Sequence, residues 1–348
     1  MQGNTVPTMK HIAAQAGVSL GTVSHVLNGT ATVRDRLRKR VLKAVAATGY
    51  QPSELARGLR RVKTNMIGMI IPDVTNPFFP SVIRGAEDVA FANGYRLVLC
   101  NTDNDHSKEL LHLRALRTYL PAGLIVIPSQ LGDLTIETEP YRKAGTALVC
   151  LDRSSREWKG NTVTVANEEG AYRATRYLIQ MGHRRLAIIT GPLHLTNARE
   201  RLAGFRKAMR EARLNLPNNY LQESTFDRPG GYGKAGILLR ASKPPTAIFA
   251  SNDMIAFGAI AAIREMGLRC PKDISVIGFD DLEIAEMTDP PLTSVHQSGY
   301  QMGVMAVRLI LDQIAGVCEI PSHVHLGTEL KIRGSVAHPS QKTNSRPL

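Results

Sequence analysis

Residues 9–29 read MKHIAAQAGVSLGTVSHVLNG. Met9, Ile12, Ala13 and Ala16 fall on one side at helical spacing. Gly17 suits a tight turn, and Ser19 is placed to cap a second helix over about Ser19–Leu27. Val23, Val26 and Leu27 of that helix face inward, which leaves Leu20, Gly21, Thr22, Ser24 and His25 toward its N-terminal or outer side. Asn28-Gly29 stops it. A third amphipathic helix, about Arg34–Thr48, buries Leu37, Val41, Leu42 and Val45 and ends at Gly49. Two short helices with a glycine turn and a bracing third make a helix-turn-helix. A lone helix fits the major groove of B-DNA, where its first side chains reach base edges and hydroxyls hold phosphates.

The charge agrees with that reading. Residues 1–63 hold eleven basic side chains against Asp35 and Glu54, a net of +9 out of +13 for the 348-residue chain. A small basic head on a nearly neutral body is the electrostatic footprint of a nucleic-acid reader. The segment Ser53–Arg61 (SELARGLRR) could form one further short helix behind Pro52. Nine residues containing Gly58 should be marginal alone and helical only with a partner.

Composition narrows the rest. A hydrophobic fraction of 43% and a charged fraction of 21% are ordinary for a globular chain, whose length suits two or three core-forming units. No window approaches a membrane span, and the first residues lack the apolar core of a secretory signal. Cys100, Cys150, Cys270 and Cys318 are far apart, with no CxxC and no histidine at ligand spacing. These features argue against a disulfide framework, a zinc site and a membrane partner, and favour the cytoplasm.

From residue 65 short apolar runs alternate with helical segments. Met66–Ile71, Arg96–Cys100, Leu124–Ile127, Ala147–Leu151, Thr162–Val165, Leu186–Ile189, Ala247–Ala250 and Val276–Phe279 read as buried strands. Val82–Asn93, Glu169–Met181 and Arg199–Ala212 read as helices between them. Such alternation predicts doubly wound parallel sheets in two α/β subdomains, with a ligand cleft at the carboxyl ends of the strands. Asp73, Asn76, Phe78 and Phe79, then Asp152 and Arg153, Asn252 and Asp253, and Asp280 and Asp281 stand at those ends. Carboxylates, amides, arginine and rings together suit a polyhydroxylated or heterocyclic ligand, although Asp and Asn at strand ends also cap helices and turns.

The AxxAGVSxxTVSxxLN pattern of the head and its GYxPxxxARxLR segment resemble the lac-repressor family of bacterial transcription regulators. PDVTNPFF, LDR, GHRRLAIITGP, ARERLAGF, ASND and ISVIGFDD extend the resemblance over nearly the whole chain. It implies a helix-turn-helix head (1–50), a hinge helix or linker (51–64) and a core like periplasmic sugar-binding proteins. The N-subdomain of that core would be 65–165 plus 294–325, the C-subdomain 166–293 plus 326–337, and the tail 338–348. By matching position, Leu20, Gly21, Thr22 and His25 would face the major groove, and Thr8, Ser19, Ser24 and Asn28 the phosphates. Leu59, flanked by Arg57 and Arg60, would wedge into the minor groove. Phe78, Phe79, Asp152, Arg199, Phe226, Asn252, Asp280 and Gln297 would bind an effector, with Arg201 structural. Gly21 stands where the family usually has a side chain, and His11 where it commonly has Asp.

The resemblance implies a homodimeric regulator, most often a repressor, of double-stranded operator DNA. A sugar, sugar acid or purine would control it, with no cofactor and no metal. A transport-type solute-binding protein with a basic extension is the alternative. An α/β enzyme is disfavoured, because the chain has no dinucleotide fingerprint, Walker loop or nucleophile elbow.

Overall fold

In a computed structural model of the chain, the residues described are 7–28, 31–50, 64–130, 134–154, 158–317 and 320–340, without the side chain of Asn28. Arg57, Leu59 and Arg60 therefore lie outside the described residues, as does the phosphate contact expected of Asn28. The chain divides after Thr64 into a head and a core.

In the head, α1 (Met9–Ala16), α2 (Leu20–Asn28) and α3 (Asp35–Thr48) enclose a small core of Ile12, Ala13, Ala16, Val23, Val41 and Ala44. Thr8 caps α1 by accepting from the His11 amide, and its own amide donates to His11 Nδ1 at 3.1 Å. His11 thus plays the reciprocal role that Glu or Gln usually fills in a capping box. Gly17 ends the helix at φ +58°, a conformation that favours glycine, and Arg40 donates to its carbonyl at 3.3 Å. Leu42 was expected inside but is exposed. Leu37, Val41, Ala44 and Val45 define the inward arc of α3, and Leu42 stands roughly 100° round the axis from Val41.

The core contains two six-stranded sheets among the described residues. The first comprises β1 (Thr64–Ile71), β2 (Arg96–Asn101), β3 (Pro121–Val126), β4 (Ala147–Leu151), β5 (Asn161–Val165) and β11 (His323–Leu326), ordered β11-β5-β4-β3-β1-β2. The second comprises β6 (Leu186–Thr190), β7 (Leu221–Glu223), β8 (Ala247–Ala250), β9 (Ser275–Asp280), β10 (Thr293–His296) and β12 (Glu329–Lys331), ordered β12-β10-β9-β8-β6-β7. Strand β12 runs antiparallel to β10. The central strands β3, β4, β8 and β9 are buried along their whole length, as a sheet covered on both faces requires.

Close helix pairs hold these sheets. In the first lobe α4 (Phe78–Ala92) and α5 (His106–Arg117) follow β1 and β2, α6 (Thr135–Lys143) precedes β4, and α12 (Gly299–Ile314) packs on α4. In the second lobe α7 (Asn167–Gln180) pairs with α8 (Thr196–Glu211), and α9 (Arg228–Leu239) with α10 (Asp253–Glu265). A short α11 (Ile284–Met287) precedes β10. Glycine permits these approaches: a Cβ at Gly303 would lie 2.0 Å from the Val82 carbonyl, and one at Gly204 2.1 Å from that of Glu168.

The chain crosses between lobes after Val165, after His296 and after Leu326. The middle crossing was expected at 293/294. It falls later because Thr293–His296 pairs with β9 in the second sheet, in the register Thr293↔Ile277 to His296↔Asp280. The last was expected after residue 325, but β11 continues through Leu326, opposite Val165. His338, expected to open the tail, donates from Nδ1 to the Met181 carbonyl at 2.8 Å and so is tied to the second lobe.

Candidate DNA-reading face and interlobe cleft

Helix α2 is preceded by Ser19, whose hydroxyl accepts from the Thr22 amide at 3.1 Å and bonds the Thr22 hydroxyl at 2.9 Å. This cap fixes the N-terminal turn that would meet a groove. Leu20, Gly21 and His25 are exposed and Thr22 is half-buried. A Cβ on Gly21 would have only the Ser19 hydroxyl within 4 Å, so the space of the missing side chain is open. Ser24 departs from expectation, being buried at 5% exposure. Val23, Leu27 and Ser24 share an arc of roughly 100° on α2. That arc faces the head's interior.

In the core, a cavity of about 360 Å³ opens between the lobes at the carboxyl ends of the strands. The first lobe contributes Asp73, Asn76, Phe78 and Phe79 after β1, Asp103 and Asn104 after β2, and Asp152 and Arg153 after β4. The second contributes Asn197 and Arg201 from α8, Phe226 and Asp227 after β7, Asn252, Asp280 and Gln297. Seven of the eight effector residues expected from sequence therefore line one cavity.

The eighth, Arg199, does not. It is exposed, whereas Arg201 is 2% exposed and lines the cavity. The reason is helical geometry: Asn197 and Arg201 are four residues apart on one face of α8, and Arg199 lies about 160° away. Arg201 Nε donates to Asn167 Oδ1 at 2.8 Å and one terminal nitrogen donates to the Ser251 carbonyl at 2.6 Å. That nitrogen is 3.6 Å from the Asp280 carboxylate, and the guanidinium lies 3.7 Å over the Phe279 ring. Arg201 was expected to be structural only; it is a wall of the cleft as well.

Asp152, Asp280 and Gln297 form the buried polar floor. Asn197 Nδ2 donates to Asp152 Oδ2 at 2.9 Å, joining the lobes, and Gln297 Nε2 donates to Asp280 Oδ1 at 2.5 Å. Asp152 and Asp280 both adopt positive φ, +63° and +114°, an unusual backbone for residues other than glycine. Burial pushes the Asp280 carboxyl up to about 7, against the pull of Arg201 and the Gln297 amide, while Asp152 pushes it the same way as burial. Behind it Asp253, which accepts from the Ser294 hydroxyl at 2.5 Å and the Leu282 amide at 2.8 Å, is raised by burial and by Asp280. Asn252 spends its carbonyl capping α10 and donates to the Phe226 carbonyl at 3.2 Å. Asp152 Oδ1 and Gln297 Oε1 are buried with no partner. Sequence reading missed Asn197; the i, i+4 pairing with Arg201 beside buried Ala198, Leu202 and Phe205 was the available signal.

Residues 8–53 match the family described as bacterial regulatory proteins, lacI family, and residues 175–336 match the periplasmic binding protein-like domain. The chain is 38% identical over 337 residues to the HTH-type transcriptional repressor PurR of Haemophilus influenzae (strain PittEE), covering 94% of this chain and 98% of the relative. The chain belongs to the lacI family of bacterial regulatory proteins. A PurR of Vibrio vulnificus (strain CMCP6) is 36% identical over 331 residues, at 94% and 98% coverage. The solved lac repressor dimer bound to operator and the anti-inducer ONPF superposes with a TM-score of 0.83 at 26% identity, over 95% of this chain and 99% of that one. A transcriptional regulator CelR–cellobiose complex gives 0.73 at 29% identity, over 94% and 99%. This lacI-family chain is thus a DNA-binding transcriptional repressor and not an enzyme, and its head excludes the transport alternative. No helix among the described residues is long and apolar enough to cross a membrane.

Proposed function

We propose that the repressor acts in the cytoplasm as a homodimer on a pseudo-palindromic operator and is controlled by a small molecule in the interlobe cleft. Leu20, Gly21, Thr22 and His25 read the major groove, Thr8, Ser19 and Asn28 approach phosphates, and Arg57, Leu59 and Arg60 enter the minor groove. The exposed outer face of α2 on a head of net charge +9 supports this. Pairing of two copies is supported by exposed apolar side chains on edge strand β2, Val98 and Leu99, and by Phe91 on the helix packed against it.

The observation that carries the regulatory half is the cleft floor, where two buried acceptors, Asp152 Oδ1 and Gln297 Oε1, await donors beside Phe78, Phe79 and Phe226. That surface suits a sugar, a sugar derivative or a purine. The lac repressor neighbour was solved with the anti-inducer ONPF and the CelR neighbour with cellobiose. The test is a thermal-shift screen of the full chain, with every hit carried into fluorescence-anisotropy titrations of operator DNA. A ligand at ~100 times its dissociation constant stabilises by about 2.7 kcal/mol. A cleft ligand that leaves operator affinity unchanged would refute the regulatory reading, and unchanged affinity in Leu59→Ala would refute the hinge wedge.

A further inference from the structure

Five carboxylates and two guanidinium groups line the cleft, and both guanidinium groups are already engaged. Arg201 donates to Asn167 and Ser251 and sits 3.6 Å from Asp280. Arg153, 3% exposed, donates to the Pro128 carbonyl at 3.1 Å, and its Nε, with no hydrogen bond of its own, faces the Asp152 carboxylate at 3.3 Å. The Phe226 ring covers it at 5.9 Å. On the solvent side of this neutralised floor stand Asp73, Asp103 and Asp227, which are half-buried or exposed, and the lining holds no further lysine or arginine. An anion entering here would shed its water beside Asp152 without a free cation to receive it. Apart from that Arg153 Nε, which is held against the Asp152 carboxylate, the buried lining groups that lack partners are acceptors. The Gln297 amide is oriented by its Nε2 donation to Asp280, which turns Oε1 away from that carboxylate.

We propose that the effector carries no anionic group and binds by donating hydrogen bonds from neighbouring hydroxyl or amino groups to Asp152 Oδ1 and Gln297 Oε1. The inference rests on the cleft being the effector site, and it excludes sugar phosphates, sugar acids and nucleotides while admitting neutral polyols, amino sugars and nucleosides. Filling the two buried acceptors would supply affinity, since a donor to a buried carboxylate is worth more than a neutral pair.

Matched probes test it on the full chain by thermal shift and calorimetry: ribose with ribose 5-phosphate; glucose with glucosamine, gluconate and glucose 6-phosphate; adenosine with its monophosphate; and inorganic phosphate alone. The expected result is that each binder is a neutral or amino compound and that its anionic counterpart binds at least about tenfold more weakly. Gln297→Leu and Asp152→Asn should each weaken the best binder roughly tenfold to a hundredfold, with circular dichroism confirming that both variants are folded. Glucose against glucosamine distinguishes a hydroxyl from an amino donor. A phosphate or carboxylate compound that binds more tightly than its parent overturns the proposal, as does a panel in which no neutral or amino compound binds. A best binder indifferent to both variants overturns it too. Operator titrations run alongside separate the two failures. An anionic compound that changes operator affinity sinks only the charge class, whereas a neutral cleft binder without effect on the operator sinks only the regulation.

Discussion

Arg201 and Arg199 stand two residues apart on α8, and their replacement by alanine should differ sharply. Arg201→Ala removes a guanidinium that is 2% exposed and leaves the Ser251 carbonyl and Asn167 Oδ1 without their donors. It also strips Asp280 of its 3.6 Å counter-charge and opens space over the Phe279 ring. Removing one member of a buried ion pair costs about 3–5 kcal/mol. Asp280 has an escape, because its carboxyl is already raised to about 7 by burial and is held down by Arg201. In the variant it rises further and takes up a proton. The folded variant then binds more protons than the folded wild type near neutrality, so its stability falls more steeply as pH rises. The destabilisation should therefore be near its full value at pH 8 and smaller by about 1 kcal/mol or more at pH 6. Arg199→Ala, at an exposed position, should stay within about 0.5 kcal/mol of wild type at both pH values. Urea denaturation followed by far-UV circular dichroism and by the fluorescence of Trp158, the single tryptophan, measures both. Arg201→Ala and Arg199→Ala lying within 0.5 kcal/mol of each other, or a penalty that shrinks toward pH 8, would refute the assignment of Arg201 as the buried cation of the floor.

Because burial lifts Asp280 above its ordinary 3.8, it contributes stability at low pH that is lost as pH rises toward 7; thermal melts of Asp280→Asn should show a flatter decline between pH 5.5 and 8 than wild type. Gly303→Ala would push a methyl to 2.0 Å from the Val82 carbonyl, so α4 and α12 must separate at a cost of about 1–3 kcal/mol or more, read as a lower urea midpoint. Gly21→Ala meets open space on α2, and the isolated head should gain up to about 1 kcal/mol in thermal melts while its operator preference changes. Thr8→Ala removes the α1 cap and should cost the head about 0.5–2 kcal/mol by the same measurement.

The sequence was legible where a long apolar run or a helical period carried the information. All eight strands read from apolar runs are present, and α1 spans the residues that its period marked. The four strands outside those runs, β7, β10, β11 and β12, have three or four residues each, too few to show a run. Within β10 the two buried polar residues are satisfied from far along the chain: the Ser294 hydroxyl donates to Asp253, and the Thr293 hydroxyl accepts from the Arg333 amide. Read locally, that strand resembles a polar connection, and the interlobe crossing slid toward it. The arginine exchange in ARERLAGF has another cause. Motif position favoured Arg199, but the period set by Ala198, Leu202 and Phe205 turns Arg201 inward. The burial of Ser24 was hidden similarly, because a polar side chain is assigned outward unless the arc it shares with Val23 is counted.

Asp152 gives the cleft its mechanical meaning. One of its oxygens accepts from Asn197 across the lobes, and the other is free. The same side chain can therefore hold the lobes and receive a ligand without exchanging one role for the other. Its neighbours repeat the pattern: Arg153 from the first lobe lies against Phe226 of the second, and Leu282 of the second packs into the apolar core of the first. A donor seated on Asp152 Oδ1 and Gln297 Oε1 touches both lobes, because Asp152 follows β4 and Gln297 follows β10. Its binding energy then depends on the distance between those strand ends. The ligand can shift the interlobe equilibrium by no more than that difference in affinity between the open and closed arrangements. A ligand that satisfied only one lobe would bind the two arrangements alike and shift nothing, however tightly it bound.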